Sequence, residues 1–301
     1  MIRELQAKAR ELLKEKKVDL IIGYEKTLNG NEVTPSFIEK EKEVEKLFWN
    51  EDCVYNLSRY LVEIRQEEAE KSPSKSGEKP ASKIVGIVAK GCDVRSIIGL
   101  IQEKQIKREE VMIIGVECDG VRSQDRGEMV SQKCRYCEVH IPKEYDILIK
   151  NKEKVEEERG KEKNPYVEIE EMEAKSIKER WLYWQAEFSR CIRCYACRQI
   201  CPMCFCKECI ADKTMPQWIL PSPSPQANTV WNLVRAFHLA GRCIDCGECE
   251  RACPVNIPLR KLNKKLEKEI NQMFGYEAGL DPSTKPPLAD FRQDDPQEFI
   301  R

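Results

Sequence analysis

The chain has 301 residues, 51 of them basic and 52 acidic, for a formal net charge of −1. That balance excludes a global field aimed at nucleic acid or at an anionic membrane, and no apolar run approaches the ~20 residues needed to span a bilayer. The length suits two domains. Sixteen cysteines, with no apolar h-region at the start, point to metal rather than disulfides and to a cytoplasmic protein.

Residues 2–17 read as an amphipathic helix rich in Glu, Lys, Leu and Ala, and 18–24 (VDLIIGY) as a short buried strand. Residues 42–49 and 55–68 have helical character, and the breaker-rich stretch 71–82 predicts a loop. A strand follows at 83–90 (KIVGIVAK), then a turn at Gly91-Cys92-Asp93 with Asp93 as N-cap, then a helix over 94–105. Residues 111–116 (VMIIGV) and 145–148 (YDIL) predict two further strands. Strand, helix, strand implies a βαβ unit on a parallel sheet, whose sites lie at the carboxyl ends of the strands. Cys92 and Cys118 each follow a strand and belong to that edge.

The mixed-charge run near 151–165 reads as a linker. A helix is predicted over 170–190, another at 228–239 after the loop Pro-Ser-Pro-Ser-Pro (221–225), and a third over 257–272. The proline- and aspartate-rich end from Pro282 has no periodicity. The expected organisation is an α/β N-terminal domain with a small parallel sheet (1–150), the linker, an α-helical domain bearing eleven of the sixteen cysteines (166–280) and an extended tail (281–301).

Two cysteine runs carry the chemistry. One is Cys191, Cys194, Cys197, Cys201-Pro202; the other is Cys243, Cys246, Cys249, Cys253-Pro254. Each is C-x2-C-x2-C-x3-C-P, the bacterial-ferredoxin run for a 4Fe–4S cluster, so the α-helical domain is expected to be of the dicluster ferredoxin type. Three thiolates on one tight loop reach three iron corners of a cubane, while the fourth opens the next segment and points away to the other cluster. The expected ligand sets are therefore Cys191, Cys194, Cys197 with Cys253, and Cys243, Cys246, Cys249 with Cys201. Zinc is the alternative for a single such run, and two complete copies weigh against it.

Cys92, Cys118, Cys134 and Cys137 supply four further candidate ligands, two after strands and two in a C-x2-C pair. A third metal centre there, expected to be 4Fe–4S, stands beside two alternatives, zinc and buried free thiols. Cys53 is either a substitute for one of the four or a core thiol. Cys204, Cys206 and Cys209, just after the first run, either hold part of a further centre or serve a structural or redox-sensitive role. Arg190, Arg193 and Arg198 put positive charge beside the clusters or else pair with carboxylates. Trp181 and Trp184 read as core. There is no serine elbow, Walker A run or GxGxxG after a strand.

The segments VGIVAKGCDVRSIIGLIQEKQI, VMIIGVECDGV and CRYCEVHIPKEYDILI resemble the beta-subunit family of deazaflavin-dependent hydrogenases and dehydrogenases. FSRCIRCYACRQICPMCFCKEC and RAFHLAGRCIDCGECERACPVNIPL resemble the dicluster ferredoxin domain of electron-transfer subunits in heterodisulfide-reductase-like and formate dehydrogenase systems. The resemblance implies an iron–sulfur subunit of an anaerobic redox complex, relaying single electrons between a catalytic partner and another carrier. It also implies a second reading, in which FAD in the N-terminal domain exchanges hydride with a deazaflavin or nicotinamide and the clusters take the electrons singly. A third reading makes the clusters structural staples in an adaptor.

Overall fold

The computed structural model describes residues 1–30, 32–71, 82–123, 130–151, 164–290 and 293. It separates into two compact units, Met1–Lys163 and Asn164–Arg301. The loop expected at 71–82 and most of the linker expected at 151–165 lie outside the described residues, as does most of the tail from 291 on.

In the first unit, helix α1 (Ile2–Lys14) buries Leu5, Ala9 and Leu12, the i, i+4, i+7 stripe of an amphipathic helix. Strands β1 (Leu20–Lys26), β2 (Val33–Ile38), β3 (Val85–Ala89), β4 (Val111–Val116) and β5 (Ile147–Ile149) form one sheet in the order β2-β1-β3-β4-β5. β3 pairs in parallel with both β1 and β4, and β5 runs parallel to β4. All five residues of β3 are buried, as expected for the centre of a covered parallel sheet. Helix α3 (Gly91–Gln102) makes the β3-α3-β4 crossover.

Two local expectations are corrected. The sheet is mixed, because β2 adds antiparallel to β1 with Ile21 opposite Ile38. β2 escapes a sequence reading because it contains Pro35 and has no clean alternation; proline is tolerated where a strand lies at the sheet edge. Gly91 already belongs to α3, so Asp93 is the third helical residue and Lys90 the N-cap. The Asp93 carboxylate accepts from the Lys90 backbone N–H at 2.9 Å. Helix α2 (Ser58–Lys71) falls close to its expected place, whereas 41–46 is a 3-10 helix.

The second unit is helical. The helix expected over 170–190 is two helices, α5 (Val167–Glu173) and α6 (Ile177–Ser189), and Ser176 caps the second by accepting from the Glu179 N–H. Helix α8 (Pro225–His238) starts with proline behind the Ser224 cap, and α10 (Leu259–Phe274) ends at Gly275 in the left-handed region. The short helices α7 (Ala196–Gln199) and α9 (Glu248–Arg251) pack on each other, and α6 packs on α8. A four-residue helix, α4 (Gln132–Arg135), completes the numbering in the first unit.

Candidate functional site

The two cysteine runs fold as a structural repeat. Arg193 and Tyr195 in the first loop, and Asp245 and Gly247 in the second, all have φ near +60 to +70°, at the second and fourth positions after the leading cysteine. Each loop then enters its short helix, α7 or α9, at the third cysteine. Left-handed backbone costs an L-residue about 1–2 kcal/mol, so three of these four positions need an anchor. Arg193 is buried and donates to the Ala227 and Leu220 carbonyls at 2.9 and 3.1 Å and to the Tyr195 hydroxyl at 2.9 Å. Asp245 is held by the Arg260 guanidinium at 2.7 and 2.9 Å and by Lys264 at 3.2 Å. Different chemistry thus pins the same position of each loop.

The fourth cysteines cross over. Cys197 lies in electrostatic reach of Cys191, Cys253 and Cys194, and Cys191, Cys197 and Cys253 share an apolar cluster with Phe188, Cys249 and Ile257. Cys201 instead lines a cavity with Cys243, Cys246 and Cys249, together with Arg235, Leu239 and Asn263. Cys253 thus lies beside thiols of the first loop, and Cys201 beside those of the second. Donors surround the sulfurs: Asn263 Nδ2 reaches Cys249 Sγ at 3.6 Å and the Ile257 N–H reaches Cys253 Sγ at 3.4 Å. Burial pushes the Cys249 thiol up to about 12. Burial, followed by the Glu267 and Asp245 carboxylates, pushes Cys243 well up. Cys201 moves the other way, because Cys204 donates a hydrogen bond to its sulfur. Among the described residues no group of three or more His, Cys, Asp or Glu side chains is gathered as a site for a single metal ion. The donor set consists of soft thiols in a dry shell with N–H donors to sulfur, and this chemistry fits an iron–sulfur cluster.

The first unit gathers its own cysteines at the carboxyl edge of β3 and β4. Cys92 lies in the first turn of α3 and Cys118 just past β4, in electrostatic reach of each other. Cys134 and Cys137 act on Cys118 from the α4 segment. The Val121 N–H reaches Cys134 Sγ at 3.5 Å, and the backbone N–H groups of Gly120 and Val139 serve Cys118 and Cys137. Gly91 is required here: a Cβ would lie 1.9 Å from the Val139 carbonyl oxygen, so the chain after Cys137 closes directly on the start of α3. Burial pushes Cys118 up to about 11. Cys53, fully buried before α2, is pushed up to about 12, accepts from the Asn50 N–H at 3.4 Å and behaves as a core thiol that feels Cys118 only weakly.

Lys90 is the residue that sequence reasoning missed in this unit. Its ammonium, 1% exposed, pairs with Asp93 at 3.0 Å, donates to the Tyr55 carbonyl at 2.7 Å and also contacts the Tyr24 hydroxyl. It stands beside Cys92 and Cys118. In the second unit Arg235 was missed in the same way. The arginines singled out from sequence have ordinary partners: Arg198 meets Asp212 at 2.7 Å, and Arg190 meets Glu187 and the Val255 carbonyl. Trp181 is 49% exposed, which corrects its assignment to the core; Trp184 stacks on Phe188 with centroids 5.4 Å apart. Cys206 is exposed, whereas Cys204 and Cys209 are half-buried.

Paired cysteine loops, crossed fourth cysteines and a dry sulfur shell define an iron–sulfur protein of the electron-transfer class, and residues 190–258 match the family described as a 4Fe-4S dicluster domain. The chain is similar to F420-dependent formate dehydrogenase subunit beta of Methanocaldococcus jannaschii, 26% identical, with the match covering 68% of this chain and 76% of that protein. It is also similar to F420-dependent formate dehydrogenase 1 subunit beta of Methanococcus maripaludis, 23% identical, with the match covering 68% of this chain and 75% of the relative. No helix among the described residues is long and apolar enough to cross a membrane.

Proposed function

We propose that this chain is the electron-relay subunit of a multisubunit anaerobic oxidoreductase, passing single electrons between a catalytic partner and a second redox carrier. Cys191, Cys194, Cys197 and Cys253 would hold one 4Fe–4S cluster and Cys243, Cys246, Cys249 and Cys201 the other. Cys92, Cys118, Cys134 and Cys137 would hold a third. The observation that carries this reading is the packing of Cys253 near Cys191 and Cys197 and of Cys201 near Cys243, Cys246 and Cys249, an arrangement that suits two clusters side by side. The names of the relatives favour a formate dehydrogenase-type partner and a deazaflavin as the more distant carrier. The clusters supply reversible one-electron chemistry. The chain contributes thiolates, a low-dielectric shell and fixed charges that set their potentials.

Iron and acid-labile sulfide counted on protein purified without oxygen test this. About twelve irons per chain support three cubanes, about eight restrict the relay to the second unit, and about four or fewer refute it. A stoichiometric flavin spectrum on the same sample would favour hydride exchange in the first unit as an added function. Iron that cannot be reduced at any accessible potential would leave only a structural role.

A further inference from the structure

Arg235 lies on α8 and is 4% exposed. Its guanidinium donates to the Cys197 carbonyl at 2.8 Å, on the first loop, and also lines the cavity formed by Cys201, Cys243, Cys246 and Cys249. Its Nε is buried with no hydrogen-bond partner among the described residues. The other arginine on this cavity, Arg260, is neutralised by Asp245 at 2.7 Å and by Glu168 at 3.3 Å. Arg235 has no such carboxylate among the described residues; the groups in its electrostatic reach are the sulfurs of Cys249, Cys201, Cys204 and Cys197. A buried cation without a counter-charge is unfavourable, so negative charge arriving beside this side chain would stabilise it. Four thiolates around an iron–sulfur core provide that charge, and reduction increases it by one unit.

Resting on the ligand assignment above, we propose that Arg235 is a positioning residue shared by both clusters, a permanent cation between them that raises both reduction potentials. The sign follows from charge: the reduced cluster is the more negative state, so a nearby fixed cation stabilises it more than the oxidised state. Both clusters are affected because the guanidinium touches the backbone of one ligand loop and faces the thiols of the other set. The cluster held by Cys201, Cys243, Cys246 and Cys249 is affected more, since Arg235 lines its cavity directly. A fixed charge shifts the two potentials together and leaves the repulsion between two added electrons unchanged. It sets the level of the relay and not its cooperativity.

The test uses the full chain purified without oxygen, as parent, Arg235→Lys and Arg235→Met, with iron content measured and both potentials read from an electron paramagnetic resonance redox titration. Arg235→Met should keep the parental iron count and move both potentials to more negative values, the Cys243-set cluster further. Arg235→Lys should restore most of the shift. Parental potentials in a fully loaded Arg235→Met protein overturn the inference. Loss of iron in both variants overturns it too, since Arg235 would then be a structural anchor. If only Arg235→Met loses iron, Arg235→Lys must keep parental potentials, and displaced ones refute the proposal. A parent lacking two 4Fe–4S signals would instead overturn the function proposed above.

Discussion

The proposed exchange of fourth cysteines predicts a pattern that paired substitutions reveal. Cys253 follows the second run in sequence but packs with Cys191 and Cys197, whereas Cys201 follows the first run and lines the cavity of Cys243, Cys246 and Cys249. Replacing Cys253 by alanine removes one ligand of four and should cost the protein one cubane, about four irons. Adding Cys191→Ala removes a second ligand of the same cluster, so the double variant should still lose about four irons. Adding Cys243→Ala instead strikes the other cluster, and the loss should rise to about eight. The mirror series predicts that Cys201→Ala combines silently with Cys243→Ala and additively with Cys191→Ala. Iron analysis and electron paramagnetic resonance spin counts on anaerobically purified variants decide it. If Cys253→Ala is silent with Cys243→Ala and additive with Cys191→Ala, the ligands follow the runs and the crossed assignment is wrong.

Three further outcomes follow from the first unit. Gly91→Ala places a Cβ 1.9 Å from the Val139 carbonyl oxygen, a backbone clash that should cost about 1–3 kcal/mol in urea unfolding and displace the loop bearing Cys137; iron should fall by about four if the third centre is present. Lys90→Met leaves Asp93, 0% exposed, without its counter-ion and should destabilise by about 3–5 kcal/mol; a loss below ~1 kcal/mol would show that the pair adds little. Cys53 governs a pH effect in metal-free protein. Burial holds its folded pKa at about 12 against an ordinary 9.0, so the folded chain keeps a proton that the unfolded chain releases. Its contribution is complete below pH 9 and fades as pH rises towards 12. Between pH 9 and 10 the parent should lose about 1 kcal/mol more than Cys53→Ala, and parallel pH profiles of the two would refute the assignment.

What could be read from the sequence and what could not divide along the range of the interactions involved. The β3-α3-β4 crossover was legible because apolar runs and a breaker-flanked turn are local signals, and the eight ferredoxin cysteines were legible because a cubane dictates their spacing. The same locality explains the errors. The sequence puts Asp93 at the N-cap because aspartate favours that position after a turn. Gly91 nevertheless joins α3, and the carbonyl of Val139, 48 positions along the chain, packs where its Cβ would be. Helix 170–190 read as continuous because Lys175-Ser176 lies within a good periodic pattern, but Ser176 finds its partner in Glu179 and restarts the helix. Lys90 and Arg235 were invisible for a stronger reason. A buried cation follows no propensity; its position is set by what surrounds it after folding, here Asp93 with the edge thiols and the sulfur shell between two loops. Thiol spacing is thus legible in sequence, because a cubane would constrain it. The charges proposed to tune such a cluster come from elements distant in sequence, and they become visible only when α8 meets the first loop and lines the cavity of the second.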